Sequence, residues 1–149
     1  MPLTPDLEQA LTMTADAITF ARDPWWVIGS AAVALYGADV SDISDIDLLM
    51  SEADAAKLMQ ALGEPFRHKE PNSLFRSTII GCWTEPPLTV EIMGGFEVAT
   101  DEGWERVWPR TRQPAEVRGR TLFIPSAAEL KAMLVKFGRP KDLARARLL

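Results

Sequence analysis

The sequence predicts an α/β or α+β fold: a mixed, mainly antiparallel β-sheet with helices packed against it, forming one domain over residues 1–149. Three observations predict it. Helix and strand signals alternate along the chain, which places both in one layered core. After residue 73 the strand-like runs come at hairpin-like spacing, which argues against a doubly wound parallel sheet. Two apolar runs, Asp45-Ile46-Asp47-Leu48-Leu49-Met50 and Leu88-Thr89-Val90-Glu91-Ile92-Met93, carry their acids on one face at strand periodicity.

The elements follow in order. Thr4 caps and Pro5 opens a first helix, whose buried face is marked by Leu7, Ala10, Leu11, Ala15, Ile18 and Ala21. Asp23-Pro24 ends it, because the residue before proline disfavours helix. Residues 25–28 read as a short strand, Gly29-Ser30 as a turn, and 31–36 as a helix of small residues. A loop over 37–44 leads to a strand at 45–50. Ser51 with Asp54 reads as a capping pair for a helix to Leu62, closed by Gly63 and Pro65. Strands are expected at 73–80 and 88–93, with the turn Trp83-Thr84-Glu85-Pro86-Pro87 between them. Gly94-Gly95 ends the second. Residues 96–118 predict irregular structure with one or two short strands or helical turns. Arg118-Gly119 turns into a strand at 121–124. Ser126 with Glu129 caps a helix to Phe137, Gly138 stops it, and Pro140 opens a final short helix.

The chain has 149 residues, 47% of them hydrophobic and 25% charged, which is ordinary for a globular domain with a real core. The net charge of −5 argues against a general nucleic-acid binder, which needs a basic face. With one cysteine, Cys82, no intramolecular disulfide forms, and a buried, inert thiol is expected. The N-terminus has no basic-then-apolar leader pattern. The longest apolar run, 25–38, is shorter than the roughly 20 residues of a membrane span. A cytoplasmic protein with no membrane partner is expected.

The acids define the candidate site. Asp45 and Asp47, two apart on a strand, share a face, while Ile46, Leu48 and Met50 point the other way. Glu91 stands likewise between Val90 and Ile92. If the two strands are neighbours, three carboxylates converge, a hard-oxygen set suited to Mg²⁺. Solvent-exposed strand ends are the alternative reading. Ser30 starts a helix, and its amide and hydroxyl offer an anion site just before the acidic pair.

The pattern Gly29-Ser30, Gly37, Ser44-Asp45-Ile46-Asp47-Leu48-Leu49, then Val90-Glu91-Ile92, resembles the nucleotidyltransferase superfamily typified by DNA polymerase beta. It is similar in particular to small bacterial members: minimal and antibiotic nucleotidyltransferases and the nucleotidyltransferase toxins of abortive-infection systems. The tail Ile124-Pro125-Ser126 with Glu129-Leu130-Lys131, then Gly138-Arg139-Pro140-Lys141-Asp142-Leu143, resembles them too. The resemblance implies that Gly29 and Ser30 hold the phosphates of a nucleoside triphosphate, with ATP the expected donor. It implies that Asp45, Asp47 and Glu91 bind Mg²⁺, and that a nucleoside monophosphate passes to a hydroxyl of a small molecule or protein. The loop 38–44 carries no base and two further acids, Asp39 and Asp42, so the positive charge for the triphosphate is expected elsewhere. Lys131 and Lys136 are the candidates, followed by Arg139 and Lys141, whose other reading is a solvated helix end. Acceptor recognition is expected from residues 94–120 or from a second subunit, and the acid-rich loop suits a cationic acceptor.

Other features have two readings each. Arg67-His68-Lys69, with Arg76 nearby, is either a solvated loop or a contact for triphosphate or acceptor. Trp25, Trp26, Trp83, Trp104 and Trp108 are read as core and interface residues. If 104–108 is helical, Trp104 and Trp108 share a face that lines a pocket or a dimer contact. Two further functions stay open beside the enzyme: a degenerate, antitoxin-like binding partner, and a structural domain with exposed acidic strand ends.

Overall fold

The computed structural model describes residues 3–63 and 71–149; Pro65 and the Arg67-His68-Lys69 cluster lie outside the described residues. Helix α1, Pro5–Ala17, starts as expected, with Thr4 Oγ1 accepting a hydrogen bond from the Leu7 amide at 3.2 Å. It stops short of Asp23-Pro24. The β-branched and aromatic residues Ile18, Thr19 and Phe20 leave the helix. The amides of Arg22 and Asp23 instead donate to the Asp54 carboxylate, at 3.1 and 2.9 Å.

The main sheet has the order β1-β2-β5-β4, made of β1 Trp26–Ile28, β2 Asp45–Met50, β5 Thr89–Gly94 and β4 Ile79–Trp83. The outer pairs are antiparallel and the central β2–β5 pair is parallel, a mixed sheet as expected. Gly29-Ser30 is not a free turn. Both residues belong to α2, Gly29–Leu35, which leaves β1 through a bend at Gly29 with φ +68°. Helix α3, Glu52–Leu62, has the expected bounds.

The expected strand over 73–80 divides in two. Residues Phe75–Arg76 form β3, which pairs with β6, Glu97–Thr100; β6 pairs on its other side with β7, Gly103–Arg106, completing a second sheet. Only from Ile79 does the chain join the main sheet, and there it runs on through Trp83. No glycine or proline marks the crossing, so the break is set by pairing partners alone. The stretch left irregular, 96–118, is mostly strand: β6, β7 and β8, Gln113–Val117, the last pairing with β9, Arg120–Ile124, across the turn at Arg118-Gly119. Trp104 therefore lies in an extended strand, and the helical face it was to share with Trp108 does not exist. Trp108 packs edge-on against Trp26 at 4.7 Å instead.

Two cores result from strand alternation. Val27, Ile46, Leu48, Met50, Val90 and Ile92 face α1, α2, α3 and the β8–β9 hairpin. Trp26, Ile28, Leu49 and Met93 face the other way, toward Phe96, Val98, Val107 and Phe137. The last of these ends α4, Ala127–Phe137; Gly138, left-handed at φ +73°, turns the chain into α5, Pro140–Ala146. Cys82 is buried, as expected, and forms no disulfide.

The two expected capping pairs form only half. Ser51 and Ser126 accept from the amides of Asp54 and Glu129, each at 3.2 Å. The two acids turn away and hold distant backbone. Asp54, 4% exposed, takes the Arg22 and Asp23 amides. Glu129 takes the Arg110 and Thr111 amides, each at 2.8 Å, together with the Thr111 hydroxyl. Desolvation pushes the Glu129 carboxyl up, but the Arg110 and Thr111 hydrogen bonds and the Arg110 charge outweigh it and hold it below the usual carboxylate range. Its stabilisation is therefore present above the unfolded pKa and lost as the pH falls through the lower, folded one. Glu129→Gln is expected to cost about 1–2 kcal/mol near neutral pH and to lower Tm by about 2–4 °C per kcal/mol. In thermal melts across pH, the gap between wild type and variant should close in acid.

Candidate active site

Strand register brings the three acids together. Asp47 stands directly beside Glu91 in the parallel pair, and Asp45 lies two residues earlier on the same face. One carboxylate oxygen from each of Asp45, Asp47 and Glu91 lies within 4.8 Å of the others. All three are half-buried. Anions at about 4–5 Å repel by roughly 3–4 kcal/mol per pair at an effective dielectric near 20, a cost that a divalent cation among them removes. Three oxygen donors converging from two strands could hold a metal ion, and hard oxygen ligands are the type that Mg²⁺ takes.

Gly29 belongs to the same place. A side chain there would put its Cβ 2.6 Å from Asp47 Oδ2. The bend at the end of β1 thus passes so close to the carboxylate that any Cβ at Gly29 would force the Asp47 side chain to shift, and the positive φ favours glycine independently. Ser30, next to it, is buried at the start of α2.

The carboxylates line a cleft. Its lining also carries Arg76, Arg139, Lys141 and Arg145, together with Phe75, Phe96 and Phe137. Three of these cations come from one corner. Arg139 sits at the N-cap of α5, and Lys141 and Arg145, four apart, share one side of that helix. Arg139 is fixed by Asp142, 1% exposed, through Nε–Oδ2 at 2.6 Å and Nη2–Oδ1 at 3.0 Å, and its guanidinium covers the Phe75 ring at 4.8 Å.

The structure does not bring Lys131 and Lys136 to this cleft. Lys136 reaches Glu105 at 2.6 Å and lines a separate cavity between β7 and α4; Lys131 is exposed on α4 and lines neither. At about 100° per residue Lys131 and Lys136 stand about 140° apart around α4 and about 120° and about 100° from Phe137, so neither shares the direction in which Phe137 meets the cleft. Arg139 and Lys141, ranked behind them from sequence, are in the cleft. Arg145 was not singled out; its spacing of four from Lys141 was the available signal.

No protein-family model and no curated protein matches this chain. Solved structures do. A proposed nucleotidyltransferase from Thermotoga maritima superposes with a TM-score of 0.79 at 23% identity, over 98% of this chain and 93% of that one. This chain has the nucleotidyltransferase fold. The lincosamide antibiotic adenylyltransferase LnuA, solved with lincomycin bound, is similar at a TM-score of 0.60 and 16% identity, over 94% of this chain and 96% of that one. The antibiotic-resistance protein ANT(2″)-Ia, in complex with adenylyl-2″-tobramycin, is similar at 0.56 and 16%, over 94% and 86%. Among the described residues no helix is long and apolar enough to cross a membrane.

Gly29→Ala tests the close approach at Asp47. It is expected to destabilise the fold by about 1–3 kcal/mol through backbone strain and to displace the Asp47 carboxylate. Thermal melting with and without Mn²⁺ reads both effects: Tm falls, and any metal-dependent gain in Tm disappears.

Proposed function

We propose that this protein is a Mg²⁺-dependent nucleotidyltransferase that moves a nucleoside monophosphate, with ATP as the donor, to a hydroxyl on a small-molecule acceptor. The observation that carries the reading is the pairing, in one cleft, of a three-carboxylate cluster with a wall of arginine and lysine. The antibiotic-modifying proteins that share the fold support the class of acceptor.

In this reading Asp45, Asp47 and Glu91 hold the metal. When bound, Mg²⁺ neutralises the charge of the phosphates and of the leaving group. Arg139, Lys141 and Arg145 take the triphosphate, with Arg139 held in place by Asp142 before any ligand arrives. Gly29 and Ser30 set the bend beside Asp47 against which the phosphates lie. The acceptor hydroxyl oxygen bonds to the α-phosphorus as the bond to the β-phosphate oxygen breaks; pyrophosphate leaves with that electron pair. Glu91 receives the hydroxyl proton. The protein's share of catalysis is positioning and charge stabilisation, which is most of what phosphoryl transfer requires.

Isothermal titration with ATP, with and without Mg²⁺, tests this together with Asp47→Asn. Wild type is expected to bind ATP at least tenfold more tightly with Mg²⁺, and the variant to lose that gain and all incorporation of labelled nucleotide into a panel of hydroxyl acceptors. ATP binding that ignores both Mg²⁺ and the substitution would overturn the reading.

A further inference from the structure

Arg76 is held by two neighbours that the cleft chemistry described so far leaves unused. Its Nε donates to Glu97 Oε1 at 2.7 Å, directly across the β3–β6 ladder. Its guanidinium carbon lies 4.3 Å from the ring centre of Trp104 on β7. Trp104 is 38% exposed on a strand whose four residues all face solvent, so it contributes little to either core. Arg76 itself has a side chain 43% exposed, and an arginine so exposed ordinarily samples many rotamers. Here one nitrogen and one face are spoken for. Among the described residues its two terminal nitrogens make no hydrogen bond, and the residue lines the cleft. A planar fork fixed at its base, with its outer donors available, matches the two oxygens of a phosphate or carboxylate.

We infer that Arg76 is an oxyanion-binding residue of this cleft, and that Trp104 and Glu97 are positioning residues that orient it. The inference rests on the proposed function only for the identity of the ligand. The oxyanion comes either from the nucleotide's phosphates or from an acidic group on the acceptor. Both present paired oxygens to the same guanidinium.

Two titrations separate these sources: MgATP into the protein, and inorganic phosphate into protein saturated with MgATP. Arg76→Ala is expected to weaken one of them by about tenfold, as loss of a charge-assisted hydrogen bond does. A loss for MgATP assigns Arg76 to the nucleotide; a loss for phosphate alone assigns it to the acceptor side. Trp104→Leu should weaken the same titration by about two- to fivefold, Trp104→Phe should restore it, and the double variant Arg76→Ala/Trp104→Leu should bind no more weakly than Arg76→Ala. A purely structural role for the stack would lower Tm in these variants and leave both titrations unchanged, which would overturn the inference. If wild type binds no MgATP, the proposed function fails, and phosphate titrated into the nucleotide-free protein still decides the role of Arg76: an unchanged affinity in Arg76→Ala, or no phosphate binding at all, would overturn it.

Discussion

The parallel pairing of β2 with β5, in the register that sets Asp47 beside Glu91, is the contact on which the rest of the site depends. Side chains alternate along a strand, so a slip of one residue would set Asp47 beside Val90 or Ile92 and separate the acids. The register is held from behind. Ile46, Leu48, Val90 and Ile92 are fully buried in the main core, and a slip would expose them or bury the carboxylates in their place. The same burial that stabilises the sheet thus forces three anions onto its other face. Parallel strands need a crossover, and α3 with the β3–β4 segment supplies it. That crossover brings Arg76 to the cleft.

The open face of the sheet is divided along its length. On β2 it runs Asp45, Asp47, Leu49, and on β5 Glu91, Met93; beside them β1 contributes Trp26 and Ile28. The apolar half is covered by Phe96 and Phe137, and the acidic half opens to the cleft. An aromatic trio, Phe75, Phe96 and Phe137, with ring centres 5.1 to 6.0 Å apart, marks the boundary. It joins the small sheet and α4 to the main sheet in one packed unit. Carboxylates on β2 and β5, arginine on β3 and cations on α5 thus stand on elements that these apolar contacts pack together.

What the sequence revealed and what it hid divide along the same physical line. Local signals were legible: the serine caps, Gly138, Pro140 and the alternation that put Asp45, Asp47 and Glu91 on one face of their strands. Signals that depend on a distant partner were not. Asp54 and Glu129 sit at the third helical position, where a capping box is the local expectation. The backbone amides of Arg22, Asp23, Arg110 and Thr111, far off in sequence, need acceptors too, and these carboxylates take them instead. The division of 73–80 between two sheets and the extended form of 96–118 were hidden for the same reason, since pairing partners and not propensity decide them. The cations followed suit. Lys131 and Lys136 lie on a helix that reaches the cleft only at its last residue, while Arg139, Lys141 and Arg145 lie beyond the turn that redirects the chain into it.

Helix α4 ties this cationic corner to the rest of the molecule. At its start, Glu129 holds the segment that follows β7, and Thr111 Oγ1 in turn accepts from the Ser126 amide at 2.9 Å. At its end, Phe137 packs beneath the cleft and Gly138 releases the chain toward Arg139. Eleven helical residues at about 1.5 Å each make a rod of about 16 Å between the two ends. Leu130 and Leu134, both buried in the main core, hold this rod along its length, and the Thr111–Glu129 clamp adds a polar contact that sets its tilt. A tilt at one end moves Phe137 and the guanidinium of Arg139 at the other. The Asp142 pair then keeps Arg139 registered to α5 but not to the carboxylates, because nothing in that pair refers to the sheet. The placing of the α5 cations in the cleft thus draws on the packing around Phe137, on the Arg139 guanidinium over the Phe75 ring, and on a polar clamp at the far end of α4.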